Sequence, residues 1–193
     1  MTSLSLIGAS LTGTLPLPPW PEDELAALSP EALQKAALSR VEQAWQRCLE
    51  VYPQLPRPRV WFDLKGASAG QAHWGRGGLR FNFILLSDNR TAFFNDVIPH
   101  EMAHWLVFHL RDGRRLKPHG QEWKTVMRDL FGLAPHVTHR FDVHKAQPAP
   151  YRYQCACREH LLTARRHALV NKGRRYRCRH CQETLVYIAY DNR

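Results

Sequence analysis

The sequence predicts an α+β protein: a helix-rich body holding a small sheet, followed by a small cysteine-bearing module. Three observations carry this reading. Apolar residues recur at helical spacing through 29–52, 99–110 and 120–131, with only two short β-rich runs between the first two. Four of the five cysteines fall into close pairs near the C-terminus, Cys155/Cys157 and Cys178/Cys181. Charge follows the same division, because residues 145–193 hold 11 of the 27 basic but only 3 of the 17 acidic residues. A chain of 193 residues that is 44% hydrophobic suits one ordinary domain with an appendage and excludes disorder as its general state.

The elements follow in order. The first 20 residues carry no Lys or Arg, so the basic start of a secretory signal is missing. Residues 1–25 are expected to form a loose arm ending in "PLPPWP". Ser29 can cap the first long helix, Pro30 suits its first turn, and Leu33, Ala37, Val41, Ala44, Trp45, Cys48 and Tyr52 share one face. Cys48 on that face is a packing residue. "PRPRVWFDLKG" and "LRFNFILLSDN" read as strands around the Gly-rich turn "GASAGQAHWGRGG", a hairpin or short meander in which His73 is exposed. Pro99 to Leu110 reads as a helix ended by Gly113, and Gly120 to Phe131 as a second one. "LAPHVTHRFDVHKAQPAP" is a linker, with a domain boundary near 148–150. The expected divisions are therefore 1–25, 26–148 and 149–193. No stretch is apolar enough to span a membrane.

The helix from Pro99 carries His100-Glu101-x-x-His104. Imidazoles at i and i+4 leave one face of a helix and can share a zinc ion, while the intervening glutamate stands beside them as a base. Such a site hydrolyses a carbonyl when a coordination position stays open to water. His109, five residues past His104, points away from that face. The third ligand is then sought in His119 or Glu122. His119 is favoured, since it opens the next helix beside Gly120. His136, His139 and His144 are expected on the surface or in the following loop.

The cysteine module reads as a second, closed metal site. Without a secretory signal, paired cysteines more often hold metal than form disulfides, which also points to a reducing, cytoplasmic compartment. Cys178-x-x-Cys181 is an ordinary zinc knuckle, but Cys155-x-Cys157 is tight, and Cys157-x-x-His160 restores the usual spacing. The ligands are Cys178 and Cys181 with two of Cys155, Cys157 and His160. "RYRC" and "ETLVYIAY" would be strands of this ribbon. Arg165, Arg166, Lys172, Arg174, Arg175 and Arg177 crowd it, interleaved with Tyr151, Tyr153 and Tyr176. Cations that neutralise phosphates and rings that stack on bases point to nucleic acid.

The segments "IPHEMAHWLV", "PHGQEWKTVM", "THRFDV" and "YQCACREHLLTARRH…YRCRHC" together resemble the SprT family of zinc metalloprotease-like proteins, over about residues 30–190. The resemblance implies a zincin-like domain followed by a zinc ribbon, with one catalytic and one structural Zn2+. It implies that His100, His104 and His119 bind the catalytic zinc and that Glu101 is the acid/base. Spartan-type relatives degrade proteins crosslinked to DNA, so a protein substrate and DNA, single- or double-stranded, are the partners implied. The tight Cys-x-Cys pair departs from an ordinary ribbon. A reading from another class stands beside this one: a non-catalytic DNA-binding or regulatory zinc protein with a vestigial His-Glu-x-x-His site.

Overall fold

The computed structural model describes residues 16–111, 116–146 and 150–190. It divides into two compact units, the first ending at Phe141 and the second beginning at Asp142. The division falls within the linker expected over 133–150, a few residues before the boundary placed near 148–150. No helix among the described residues is long and apolar enough to cross a membrane.

In the first unit, a short helix α1 (Glu22–Ala26) precedes the long α2 (Pro30–Leu49). Ser29 Oγ caps α2 by accepting from the Ala32 N–H, and of the expected stripe Leu33, Ala37, Val41, Ala44 and Cys48 are buried while Trp45 is half-buried. One member of that face is a charge. Arg40 is 1% exposed, and its guanidinium donates to the carbonyls of Phe94 and Pro18 and to Gln43 Oε1. Burial lowers its pKa to about 10, and the hydrogen bonds are what make that burial tolerable. They also bind the segment before α1 to the body. Leu17 is buried with its N–H on the Phe131 carbonyl, and Trp20 packs edge-on against Phe94. Residues 16–25 are therefore part of the first unit rather than a loose arm; residues 1–15 lie outside the described residues.

The small sheet has three strands, β1 (Arg59–Trp61), β2 (Gly70–His73) and β3 (Gly78–Phe81), in the order β1-β3-β2. β1 runs parallel to β3 and β2 antiparallel to it, which leaves β2 on an edge. This differs from the sequence reading in two ways. The Gly-rich segment supplies a strand and a 3-10 turn (Trp74–Arg76), not just a connection. The run "LRFNFILLSDN" is strand only to Phe81 and then becomes helix α3 (Phe83–Asp88). Asn82 makes the switch, since its Oδ1 accepts from the Ile84 and Leu85 N–H groups and caps the helix. An apolar run of this length looks alike as strand or buried helix, and only the cap separates them.

A short helix α4 (Arg90–Ala92) runs through a wide π-type turn (Phe93–Val97) into α5 (Ile98–Arg111). Pro99 has no N–H to donate and its ring crowds the carbonyl one turn back, which the wider turn accommodates. The connection around Gly113 lies outside the described residues. α6 (Gln121–Thr125) then continues as a second π-type stretch (Val126–Leu130), burying Trp123, Val126, Met127 and Leu130.

The second unit is a three-stranded antiparallel sheet of β4 (Tyr151–Gln154), β5 (Glu159–Leu162) and β6 (Val186–Tyr190), in the order β5-β4-β6. Helix α7 (Ala164–Asn171), capped by Thr163 Oγ1, was not evident in the sequence. "RYRC" contributes only the isolated bridge Arg177↔Thr184, and "ETLVYIAY" is strand from Val186.

Candidate functional site

α5 sets His100 and His104 one turn apart, and their Nε2 atoms are 3.2 Å from each other. His119, just before α6, brings its Nε2 to 3.1 Å from both. Trp123 backs the triangle from below. Its Nε1–H donates to the His100 carbonyl at 3.3 Å, and its ring lies 4.6, 5.6 and 4.8 Å from those of His100, His104 and His119. Burial lowers His100 to about 4 and His104 to about 3, with mutual repulsion adding to it; burial lowers His119 as well. A hydrogen bond to the His136 backbone opposes the shift at His100. Neutral imidazoles thus turn three Nε2 atoms onto one point. With metal–nitrogen bonds of about 2.05 Å, a tetrahedral zinc separates its nitrogens by about 3.3 Å. The donor set and its spacing fit that ion.

Glu101 sits beside the triangle and is 8% exposed. Its Oε2 accepts from the Ala72 N–H on β2 at 2.8 Å. Burial raises its carboxyl to about 8, and the Ala72 bond pulls the other way. β2 fits closely here: a Cβ on Gly70 would meet Glu101 Cγ at 2.5 Å and Oε1 at 2.8 Å.

These groups open into a cleft of about 920 Å3. One wall is the segment Ala67–Ala72 with Trp74, and another is the stretch from Ala134 to Phe141. His139 ties the two together, its Nε2 lying 3.1 Å from the Ala67 carbonyl while its ring stacks on Phe141. His136 and His139 line the cleft without joining the triangle, whereas His144 only closes a local bond to Asp142. His73 caps the 3-10 turn by accepting from the Arg76 N–H, and His109 lies between Trp105 and Phe108. Glu122 stays outside the cluster that His119 forms with His100 and His104. Sequence reasoning missed Gly70, Ala72 and Trp74, whose only trace was the Gly-rich segment, which reads as turn; Trp123 stood in "PHGQEWKTVM" as an apolar helix residue without a role at the site.

In the second unit, Cys155, Cys157, Cys178 and Cys181 bring their sulfurs within 4.8 Å of one another. The pairs Cys155–Cys157 and Cys157–Cys178 are 3.4 and 3.6 Å apart, close to the roughly 3.8 Å expected around one zinc with bonds of about 2.3 Å. His160 is not a fifth member; its Nε2 reaches Cys155 Sγ at 3.2 Å, as a neighbour that steadies a thiolate. Main-chain N–H groups of Cys181 and then His180 hold the Cys178 thiol well below its usual range. Gln182, at φ 62°, lets the knuckle turn back.

Arg165, Arg166, Lys172, Arg174, Arg175 and Arg177 are all exposed, on α7 and the strand-like stretch after it. The interleaved tyrosines behave differently from expectation. Tyr153 is wholly buried with its hydroxyl 2.9 Å from His167 Nδ1, and Tyr151 stacks on His167 at 3.9 Å. Tyr176 sits under Arg174. The exposed rings are Tyr187 and Tyr190 on β6. Alternation along β4 drives Tyr153 inward, which the sequence signals only once the strand register is known.

A helix-borne His-Glu-x-x-His with a histidine from just before the next helix, followed by a four-cysteine ribbon, defines a two-module protein built around clusters of metal-ligating residue types. The chain belongs to the SprT-like family, whose model matches residues 37–139, and residues 149–189 match the SprT-like zinc ribbon domain. It is 42% identical over 153 residues to Protein SprT of Pseudomonas paraeruginosa, covering 77% of this chain and 92% of that protein. Protein SprT of Pseudomonas putida is 41% identical over 82% of this chain and 95% of its own length. Protein SprT of Shewanella oneidensis is 39% identical over 80% and 99%. No solved structure matches the chain.

Proposed function

We propose that the protein is a zinc-dependent endopeptidase whose ribbon holds it on DNA, so that DNA-associated or DNA-crosslinked proteins are its substrates. The observation that carries the reading is the convergence of three neutral imidazole nitrogens within 3.1–3.2 Å, beside a buried carboxylate and open to a cleft. His100, His104 and His119 would hold the catalytic ion, and the four ribbon cysteines a structural one. Zinc at the histidines supplies a Lewis acid that polarises a peptide carbonyl and acidifies water.

Everything else falls to this chain. Trp123 packs against all three imidazoles and holds the His100 carbonyl, and the His136 backbone bonds to the His100 ring, which together support the triangle. Glu101, which follows His100 on α5 and lines the cleft, takes the proton of the attacking water and returns it to the leaving amine nitrogen. The Ala72 N–H keeps that carboxylate in place between the two transfers. In the ribbon, the exposed arginines and Lys172 meet phosphates, while Tyr187 and Tyr190 offer faces to unpaired bases. A reducing cytoplasm suits free thiolates.

The test has two arms. Glu101→Gln should keep zinc at wild-type stoichiometry and lower cleavage of a DNA-bound protein by about 10²–10⁴. Equal turnover in that variant refutes catalysis by Glu101, and DNA binding without turnover in the wild type favours a non-catalytic regulatory role. Replacing Arg165, Arg166, Arg174 and Arg175 by Ala should weaken DNA binding and flatten its salt dependence by about 0.7–0.9 for each phosphate that is no longer neutralised.

A further inference from the structure

At one end of the cleft, β2 gives way to the 3-10 turn that carries Trp74. The Trp74 ring lies flat on Phe108, with centroids 4.2 Å apart and planes 6° apart, and stacks on Trp105 at 6.0 Å and 17°. Trp74 lines the cleft, whereas Phe108 and Trp105 do not. The indole is therefore the outer member of an aromatic stack, and it is 39% exposed. A large ring left partly bare beside a cleft is the kind of apolar surface that marks a contact site.

The ring is held still. His73 Nδ1 accepts from the Arg76 N–H at 3.2 Å, and Gly77, at φ 74°, closes the turn onto the His73 and Trp74 carbonyls. Arg76 is in turn fixed over Trp61 at 4.2 Å and bonded to Asp63 at 2.6 Å. A rigid aromatic face loses little entropy when a ligand covers it.

Position and charge narrow the ligand. Phe108 follows His104 by four residues, about 6 Å along the same helix face. Trp74, stacked on Phe108, thus stands about one helical turn beyond His104. Arg76 flanks it, and Asp63 is shared between Arg76 and Arg80. The guanidinium of Arg76, two residues along from the ring, disfavours a cationic partner there. An aromatic side chain fits both the flat face and the charge.

We propose that Trp74 is a specificity-determining residue that receives an aromatic side chain of an extended polypeptide, a few residues from the bond held at the histidine triangle. That the occupant is a polypeptide rests on the peptidase reading above.

The test uses the full chain carrying Glu101→Gln, loaded with zinc, and fluorescent decapeptides in which a single Phe is walked through an Ala/Ser background. Binding is read by anisotropy. One placement of Phe should bind about tenfold more tightly than Ala, with Leu between and Arg no better than Ala. Trp74→Ala should erase the preference, and Trp74→Phe should retain most of it. Trp74→Leu, which keeps apolar cover over Phe108, should lose the preference of Phe over Leu and guards against a folding defect in the alanine variant. The proposal is overturned if no placement of Phe outbinds Ala, if Arg outbinds Phe, or if the preference survives both Trp74→Ala and Trp74→Leu. Turnover of the preferred peptide by the protein with Glu101 intact is scored separately. Trp74-dependent binding without turnover overturns only the peptidase reading, and turnover with no Trp74-dependent preference overturns only this proposal.

Discussion

Gly70 and Glu101 are fitted against each other: the space that a side chain on Gly70 would need is filled by the Glu101 side chain, with Cγ 2.5 Å from the ideal Cβ position. The contact takes in the stem of the side chain as well as its carboxylate end, so a swing of the tip alone does not relieve it. Two residues on, the Ala72 N–H takes the carboxylate oxygen at 2.8 Å. β2 thus leaves room for the proposed base at one residue and grips it at another. Gly70→Ala should displace Glu101 while leaving the three histidines on α5 and before α6. The expected result is a fall in kcat of tenfold or more, unchanged zinc stoichiometry, and a loss of stability of about 1–3 kcal/mol. Turnover with metal analysis and urea unfolding measures all three, and unchanged kcat would show that β2 does not position the base.

Trp123 should couple stability to metal affinity. It is fully buried, touches all three histidine rings and holds the His100 carbonyl. Trp123→Ala should cost about 3–5 kcal/mol through the cavity it leaves. Trp123→Phe keeps most of the volume but drops the hydrogen bond, at about 1–3 kcal/mol. Either change should weaken zinc binding by about 10- to 100-fold, read by competition with a chromogenic chelator. Wild-type zinc affinity in Trp123→Phe would reduce this residue to packing alone.

The two units should lose zinc separately. Cys178 is 1% exposed, and its sulfur anchors the four-cysteine cluster in the unit beginning at Asp142. Cys178→Ser should remove one zinc per chain and unfold that unit, since a structural zinc in a small module contributes about 10–16 kcal/mol to its folding. The histidine triangle belongs to the other unit, so cleavage of a free peptide should persist while DNA binding is lost. Mass spectrometry of the intact chain together with amide NMR would reveal a loss of both metals, which would contradict separate sites.

Much of this was legible in the chain because it is local. Helical spacing alone puts His100 and His104 on one face and turns His109 away. The cap at Ser29 and the stripe from Leu33 to Cys48 read directly as a helix, and the structure has it. The misreadings arose where local signals are degenerate. Phe83–Asp88 is apolar enough for either a strand or a helix, and Asn82 decides through a side-chain bond that periodicity does not register. The Gly-rich segment looks like a turn because glycine suits turns, yet Gly70 is there so that another element can come close.

By itself the sequence determined the ligand types, their spacing within each helix or knuckle, and the concentration of positive charge beside the cysteines. These depend on neighbours a few residues apart, where backbone geometry is fixed. Tertiary structure brought His119 rather than Glu122 to His100 and His104, and gathered Cys155 and Cys157 with Cys178 and Cys181 while leaving His160 at the edge of that cluster. It also brought β2 against Glu101, set Trp74 at the cleft, and buried Tyr153 while leaving Tyr187 and Tyr190 exposed. Each of these turns on side chains far apart in the chain meeting within a few ångströms, which follows from strand register and helix packing rather than from any local pattern.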